Sequence, residues 1–267
     1  MPFAGIETVP ADLCDASVYA DLPEAEAVFF LAGKKFGTSG SPEELRRFNE
    51  EMPALVAGRY ATSRIVAMST GCVYPFVGLE TGGSIETDTP APVGDYALSC
   101  LGRERAFLEA SEAHGTPLAL IRLNYSVDLR YGVLVDLAAK IVAGEPIDVT
   151  MGYFNCLWQG DAVGRTIRSL NHAAPAPEAF VLNVTGLQIL SVREIAESLG
   201  ANLNYVVDLT GEESETAWLS NSEKAHRLFG PLRVSEVTLL GWVAEWVGLG
   251  RPLLGKPTHF EVRDGRY

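Results

Sequence analysis

The chain has 267 residues, 47% of them hydrophobic, enough to bury a substantial core in one large domain or two small ones. Its formal net charge of −13 opposes non-specific attraction to phosphate backbones or anionic lipid, and no apolar run approaches bilayer-spanning length. Its four cysteines (Cys14, Cys72, Cys100 and Cys156) form no C-x-x-C, which argues against a zinc site or a disulfide framework.

Apolar runs of strand length alternate with longer amphipathic segments, the pattern of a parallel sheet covered by helices. Ala27 to Gly33 predicts a buried strand. Ser41-Pro42-Glu43-Glu44 then opens a helix, with serine as N-cap, proline at the first position and acids in the first turn. That helix is expected to reach about Gly58. Arg64 to Ser69 predicts a second strand. A loop rich in Gly, Thr and Pro leads into a helix from Tyr96 to His114, and Pro117 to Leu123 predicts a third strand. Beyond Asn124, residues 133–143 predict a helix, Asp161 is expected to cap a helix reaching about Asn171, and Phe180 to Val184 predicts a strand. Ser191 with Glu194 forms a capping box, and Val234 to Gly248 predicts a final helix containing Trp242 and Trp246. No Gly/Ser-rich linker or repeat divides the chain, so one unit is expected, with residues 125–267 completing a core begun in 1–124. The opening residues lack a signal-peptide pattern and enter as if partway through a fold. A soluble cytoplasmic protein is the expectation, with a small-molecule substrate and no nucleic-acid or membrane partner.

Chemistry concentrates in two places. Ser69 and Thr70 end a buried strand, where ligands bind in open α/β sheets. Tyr96 and Cys100 lie at i and i+4 of one helix face, with Arg103 near the same face at i+7. A phenol with an ordinary pKa near ~10 needs a nearby positive charge to act as a base at neutral pH. The scattered histidines 114, 172, 226 and 259 lack metal-ligand spacing.

Residues 68–104 resemble the extended short-chain dehydrogenase/reductase superfamily, the NAD-dependent epimerase/dehydratase group. The resemblance rests on Ser69-Thr70-Gly71-Cys72-Val73-Tyr74-Pro75, on Glu86-Thr87-Asp88-Thr89-Pro90, and on Tyr96…Cys100…Glu104. Further matches are Asp12-Leu13, Leu31-Ala32-Gly33, Asn49, Arg122-Leu123-Asn124-Tyr125, Trp158-Gln159-Gly160-Asp161, and Asn183-Val184 followed by Ser191-Val192-Arg193-Glu194. The resemblance implies a Rossmann-like, doubly wound parallel sheet with a small C-terminal substrate-binding portion. It implies Thr70 and Tyr96, with Ser69, as catalytic residues. It also implies an NAD or NADP site involving Asp12, Leu13, Leu31, Ala32, Gly33, Lys34, Asn49, Tyr96 and Cys100. A substrate site would involve Cys72, Val73, Tyr74, Asn124 and Gln159. A homodimer through the helices at 42–58 and 96–114 is a further implication.

The chain departs from that pattern twice. Cys100 stands where the family has lysine, and a thiol can neither bridge two ribose hydroxyls nor supply positive charge. Lys34, Lys35, Arg103 and Arg105 are the candidate replacements, with Lys34 and Lys35 better placed and a solvated pair of loop lysines an equal alternative. No G-x-x-G-x-x-G lies between a strand and a helix, so the nucleotide-binding half is expected to be truncated. The segment 33–40 is a glycine-containing decoy, expected to line a cofactor rather than grip its phosphates. Residues 216–221 lack the arginine that many nucleotide-sugar members carry. The expected activity is oxidation or reduction of a carbinol on a sugar or nucleotide-sugar-like metabolite. The alternatives are a non-catalytic binding protein on the same scaffold, or a fragment inactive without a missing nucleotide-binding half. The tail from Lys256 to Glu261 reads as an ordinary extension rather than a substrate cover.

Overall fold

Four parallel strands carry the apolar runs: β1 (Ala27–Phe30), β2 (Arg64–Thr70), β3 (Leu118–Leu123) and β4 (Phe180–Val184), adjacent in that order. The computed structural model describes residues 5–34 and 41–265. Alternate residues of β2 face opposite ways, and both sets are apolar, as a sheet covered on both faces requires. Ile65 and Ala67 join Phe30, Met52, Val56, Phe107 and Leu118 on one face; Val66 joins Ala119, Ile121, Leu182 and Val184 on the other. The predicted first strand ends early, because Leu31 leaves the sheet with 67% of its surface exposed and Gly33 turns the chain at φ +152°.

On the first face lie α1 (Pro42–Arg46), α2 (Met52–Arg59) and α3 (Asp95–His114). The single helix predicted over 42–58 is interrupted by a π-helical turn, Arg47–Glu51. Pro53 has no N–H to return to the carbonyl of Asn49, which removes one α-type bond at this point. The turn carries Asn49, a fully buried polar side chain facing α3.

The chain then forms α4 (Val133–Ala143) and α5 (Gln159–Ser169). Asp161 is not the cap of α5 but lies inside its first turn, where its carboxylate accepts the backbone N–H groups of Arg233 and Val234. Ser191 caps α6 (Val192–Leu203), accepting from the Glu194 N–H at 3.3 Å. A short α7 (Glu223–Phe229), absent from the sequence reading, packs near β4. The last helix, α8 (Glu236–Gly248), begins two residues later than predicted because Ser235 is its cap. Helices α4, α6 and α8 enclose their own apolar cluster, including Val133, Leu137, Phe154, Val192, Leu239 and Val243. Helix α5 covers the second face of the sheet, where its Ala162 packs with Val66, Ile121 and Leu182. No described helix is long and apolar enough to cross a membrane.

Candidate active site

At the end of β2, neighbouring hydroxyls take different environments. Ser69 is 6% exposed, and its Oγ donates to Glu104 Oε1 at 2.5 Å. Glu104 also accepts from Arg122 Nη2 at 2.7 Å and Nε at 3.0 Å, in register beside Ser69 across the β2–β3 ladder. Arg122 Nη1 donates to the Tyr74 hydroxyl, which donates to Asn183 Oδ1 at 2.9 Å. Tyr74 is therefore a core residue, its phenol pushed up to about 12 by burial. Val73 is fully buried beside it. Thr70 turns the other way. Its Oγ1 accepts from the Cys72 N–H at 3.2 Å and lies on the wall of a cavity of about 210 Å³, together with Cys72, Asn124 and Tyr125.

Tyr96 occupies the first turn of α3. Gly94, at φ +86°, packs against the backbone of Gly265, where any Cβ would overlap it. The C-terminal tail thereby abuts the entrance of this helix. Tyr96 forms part of the wall of the 210 Å³ cavity and also of a second cavity of about 800 Å³; Leu123 and Ser126 share both walls. Its phenol is hydrogen-bonded to Cys100, and burial, followed by the neighbouring Cys100 and Cys72, pushes its pKa well up; Arg103 acts in the opposite direction. Cys100 itself is fully buried among Val73, Tyr74 and Leu101, on neither cavity wall, and burial raises its thiol.

The larger cavity is bounded by Leu31, Ala32, Gly33 and Lys34 after β1, by Ser69, and by Gln159 from α5. Gln159, expected on the substrate side, thus stands with the residues expected to face a cofactor. Asn49 ties the floor together: its Oδ1 accepts from the Lys34 N–H at 3.0 Å and from Arg103 Nη2 at 2.5 Å, and its Nδ2 donates to Ser99 Oγ at 2.9 Å. Arg103 Nη1 donates to the Met68 carbonyl at 3.0 Å. A Cβ on Gly33 would overlap the Arg103 guanidinium, so glycine is required for this close approach as well as for its φ.

Of the four candidate cations, Arg103 and Lys34 reach this cavity. Lys34 is 3.6 Å from Glu44 and lies over the Phe48 ring. Arg105 is exposed on the outer side of α3, and Lys35, like the rest of the 35–40 decoy, lies outside the described residues. Asp12 and Leu13 reach neither cavity: Asp12 is exposed, 3.8 Å from Arg47, and Leu13 packs against the β1–α2 core. Two features of the smaller cavity carry no sequence signal. Tyr125 has a positive φ of 41°, and Thr258 of the tail contributes to the wall, held by hydrogen bonds of 2.6 Å from its N–H and Oγ1 to Asp136 Oδ2. The tail is more than the plain extension expected from its composition.

No protein-family profile matches the chain, and no curated protein matches it in sequence. Solved structures do match in shape. A UDP-glucuronic acid 4-epimerase from Bacillus cereus, solved with NAD, superposes with a TM-score of 0.73 at 15% identity, covering 90% of this chain and 78% of the other. RMD from Pseudomonas aeruginosa, complexed with NADPH, gives 0.74 at 19% identity over 89% and 86%. The Bordetella bronchiseptica enzyme WbmG, complexed with NAD and UDP, gives 0.74 at 18% identity over 94% and 83%. The chain has the Rossmann-type α/β fold of these proteins.

Proposed function

We propose that this chain is an oxidoreductase of the NAD(P)-dependent epimerase/dehydratase type, acting on a carbinol of a sugar or nucleotide-sugar-like metabolite. The observation that carries the reading is the position of Tyr96 on the common wall of two cavities, with Thr70 on the smaller one. The larger, about 800 Å³ and mostly apolar with a few fixed polar groups, is the cofactor site in this reading. Its residues fit a nicotinamide nucleotide: a buried, partly unpaired arginine lines a cavity of adequate volume beside a glycine that brings the backbone close. Leu31, Ala32, Gly33, Lys34 and Gln159 would hold it, and Asn49 would fix the loop after β1. When bound, the nicotinamide supplies hydride transfer at its C4.

The chain's own residues do the rest. Thr70 Oγ1 orients the substrate oxygen in the smaller cavity, with Asn124 and Thr258 as further polar wall groups. Tyr96 is protonated at neutral pH and would donate to the oxygen of a carbonyl being reduced, while its raised pKa makes it a weaker acid than a free phenol. The same burial opposes its action as a base in the oxidative direction. That opposition supports the second reading, a binding protein that keeps the scaffold without turnover.

Fluorescence titration with NADH and NADPH tests the first claim: saturable binding of one is expected, and no binding of either overturns the enzyme reading. With the preferred cofactor, Tyr96→Phe is expected to keep that binding and abolish turnover of UDP-sugars. Binding without turnover in the unmodified chain across such substrates selects the second reading.

A further inference from the structure

Arg103 is 7% exposed and stands on the wall of the larger cavity. Two of its nitrogens are occupied, by the Met68 carbonyl and Asn49 Oδ1, but its buried Nε has no hydrogen-bond partner. Among the described residues no carboxylate lies within 4.0 Å of the guanidinium, because the adjacent Glu104 is committed to Arg122 and Ser69. A buried guanidinium without a counter-ion is costly, and one left with an unsatisfied N–H more so. Neighbours hold it rigidly in place, with Gly33 on one side and Asn49 on another. Its guanidinium lies over the Phe30 ring, 6.0 Å from the centroid, and a fixed, desolvated cation without a carboxylate partner on a cavity wall is an arrangement that binds an anionic group.

We propose that Arg103 anchors an anionic oxygen group of the ligand in the larger cavity, a phosphate of the nucleotide under the functional reading above, on which this assignment rests. Arg103 would then supply a phosphate contact that does not depend on a glycine-rich loop. It would also place a positive charge one helical turn from Cys100, where lysine is missing.

Calorimetric titration with nicotinamide mononucleotide and with nicotinamide riboside, which differ by one phosphate, tests the contact. Arg103→Met is expected to weaken mononucleotide binding about tenfold or more and leave riboside binding within about twofold; Arg103→Lys should recover part of the loss. Equal mononucleotide affinity in wild type and Arg103→Met, or an equal loss for both ligands, overturns the proposal. If Arg103→Met fails to fold, the wild-type chain labelled with 15N-arginine decides. A buried Nε–H resonance should shift with the mononucleotide and not with the riboside, and an unmoved spectrum overturns the proposal. Inorganic pyrophosphate separates the two ideas. Arg103-dependent pyrophosphate binding without any NADH or NADPH binding sinks the cofactor reading while keeping the anion site. Absence of binding by every one of these probes overturns the anion site as well.

Discussion

Glu104→Gln tests the assignment of Ser69 and Arg122 to the scaffold. The side chains of Arg122 and Glu104 are 6% and 2% exposed, and Glu104 accepts three hydrogen bonds, two from Arg122 and one from Ser69. Glutamine preserves the volume but turns one acceptor oxygen into a donor NH2 facing another donor, leaving Arg122 buried and uncompensated. Breaking one side of such a pair costs about 3–5 kcal/mol, and Arg122→Met should cost a similar amount. The double variant Glu104→Gln/Arg122→Met removes both charges and should recover most of that loss, to within roughly 1–2 kcal/mol of wild type. With a urea slope near the upper end of the range for small proteins, about 3 kcal/mol/M, each single change should lower the midpoint by more than ~1 M. Urea unfolding followed by both tryptophan fluorescence and far-UV circular dichroism gives the cycle. The reasoning is refuted if either single variant loses less than about 1 kcal/mol, or if the double loses the sum of the singles.

Gly33→Ala should destabilise the protein by about 1–3 kcal/mol, since the position combines φ +152° with overlap between a Cβ and the Arg103 guanidinium. Arg103→Ala in the same background should relieve part of that loss, as thermal melts will report. Cys100→Lys places an ammonium in a fully buried site near Arg103. It should cost at least about 1–3 kcal/mol by overpacking alone, and a variant as stable as wild type would contradict the packing described. His226 is half-buried; burial, then Arg165, holds its imidazole below the usual 6.5. The unfolded chain therefore binds the proton more readily, and this contribution to stability, present above pH 6.5, is lost as the pH falls below it. His226→Gln should flatten the difference between urea midpoints at pH 7.5 and 5.5; an unchanged difference removes His226 as its source.

Patterns governed by neighbours in the chain were legible in the sequence. The alternation of apolar runs with amphipathic segments specified a sheet covered on both faces, and Ser41 and Ser191 marked helix starts through local hydrogen bonding. The hydroxyls ending β2 and the tyrosine opening α3 could be placed at the site because strand ends and helix starts are local facts. The division of labour between Ser69 and Thr70 could not, since it depends on Glu104, 35 residues away, and on Arg122 of the next strand. The same holds for Arg103. From the sequence it is one of four candidate cations, and Lys34 and Lys35 rank ahead of it because they follow the first strand. Only packing shows that its guanidinium is buried and partly unpaired on a residue of the cavity wall. Thr258 reached the smaller cavity through a contact with Asp136 across 122 residues, which no short-range pattern encodes. The sequence by itself determined the order of elements and the residue types at their ends, because those follow from local propensity and hydrophobic period. Tertiary structure alone decided which polar groups are consumed in the scaffold and which remain to meet a ligand, because that depends on what each finds within hydrogen-bonding distance after folding.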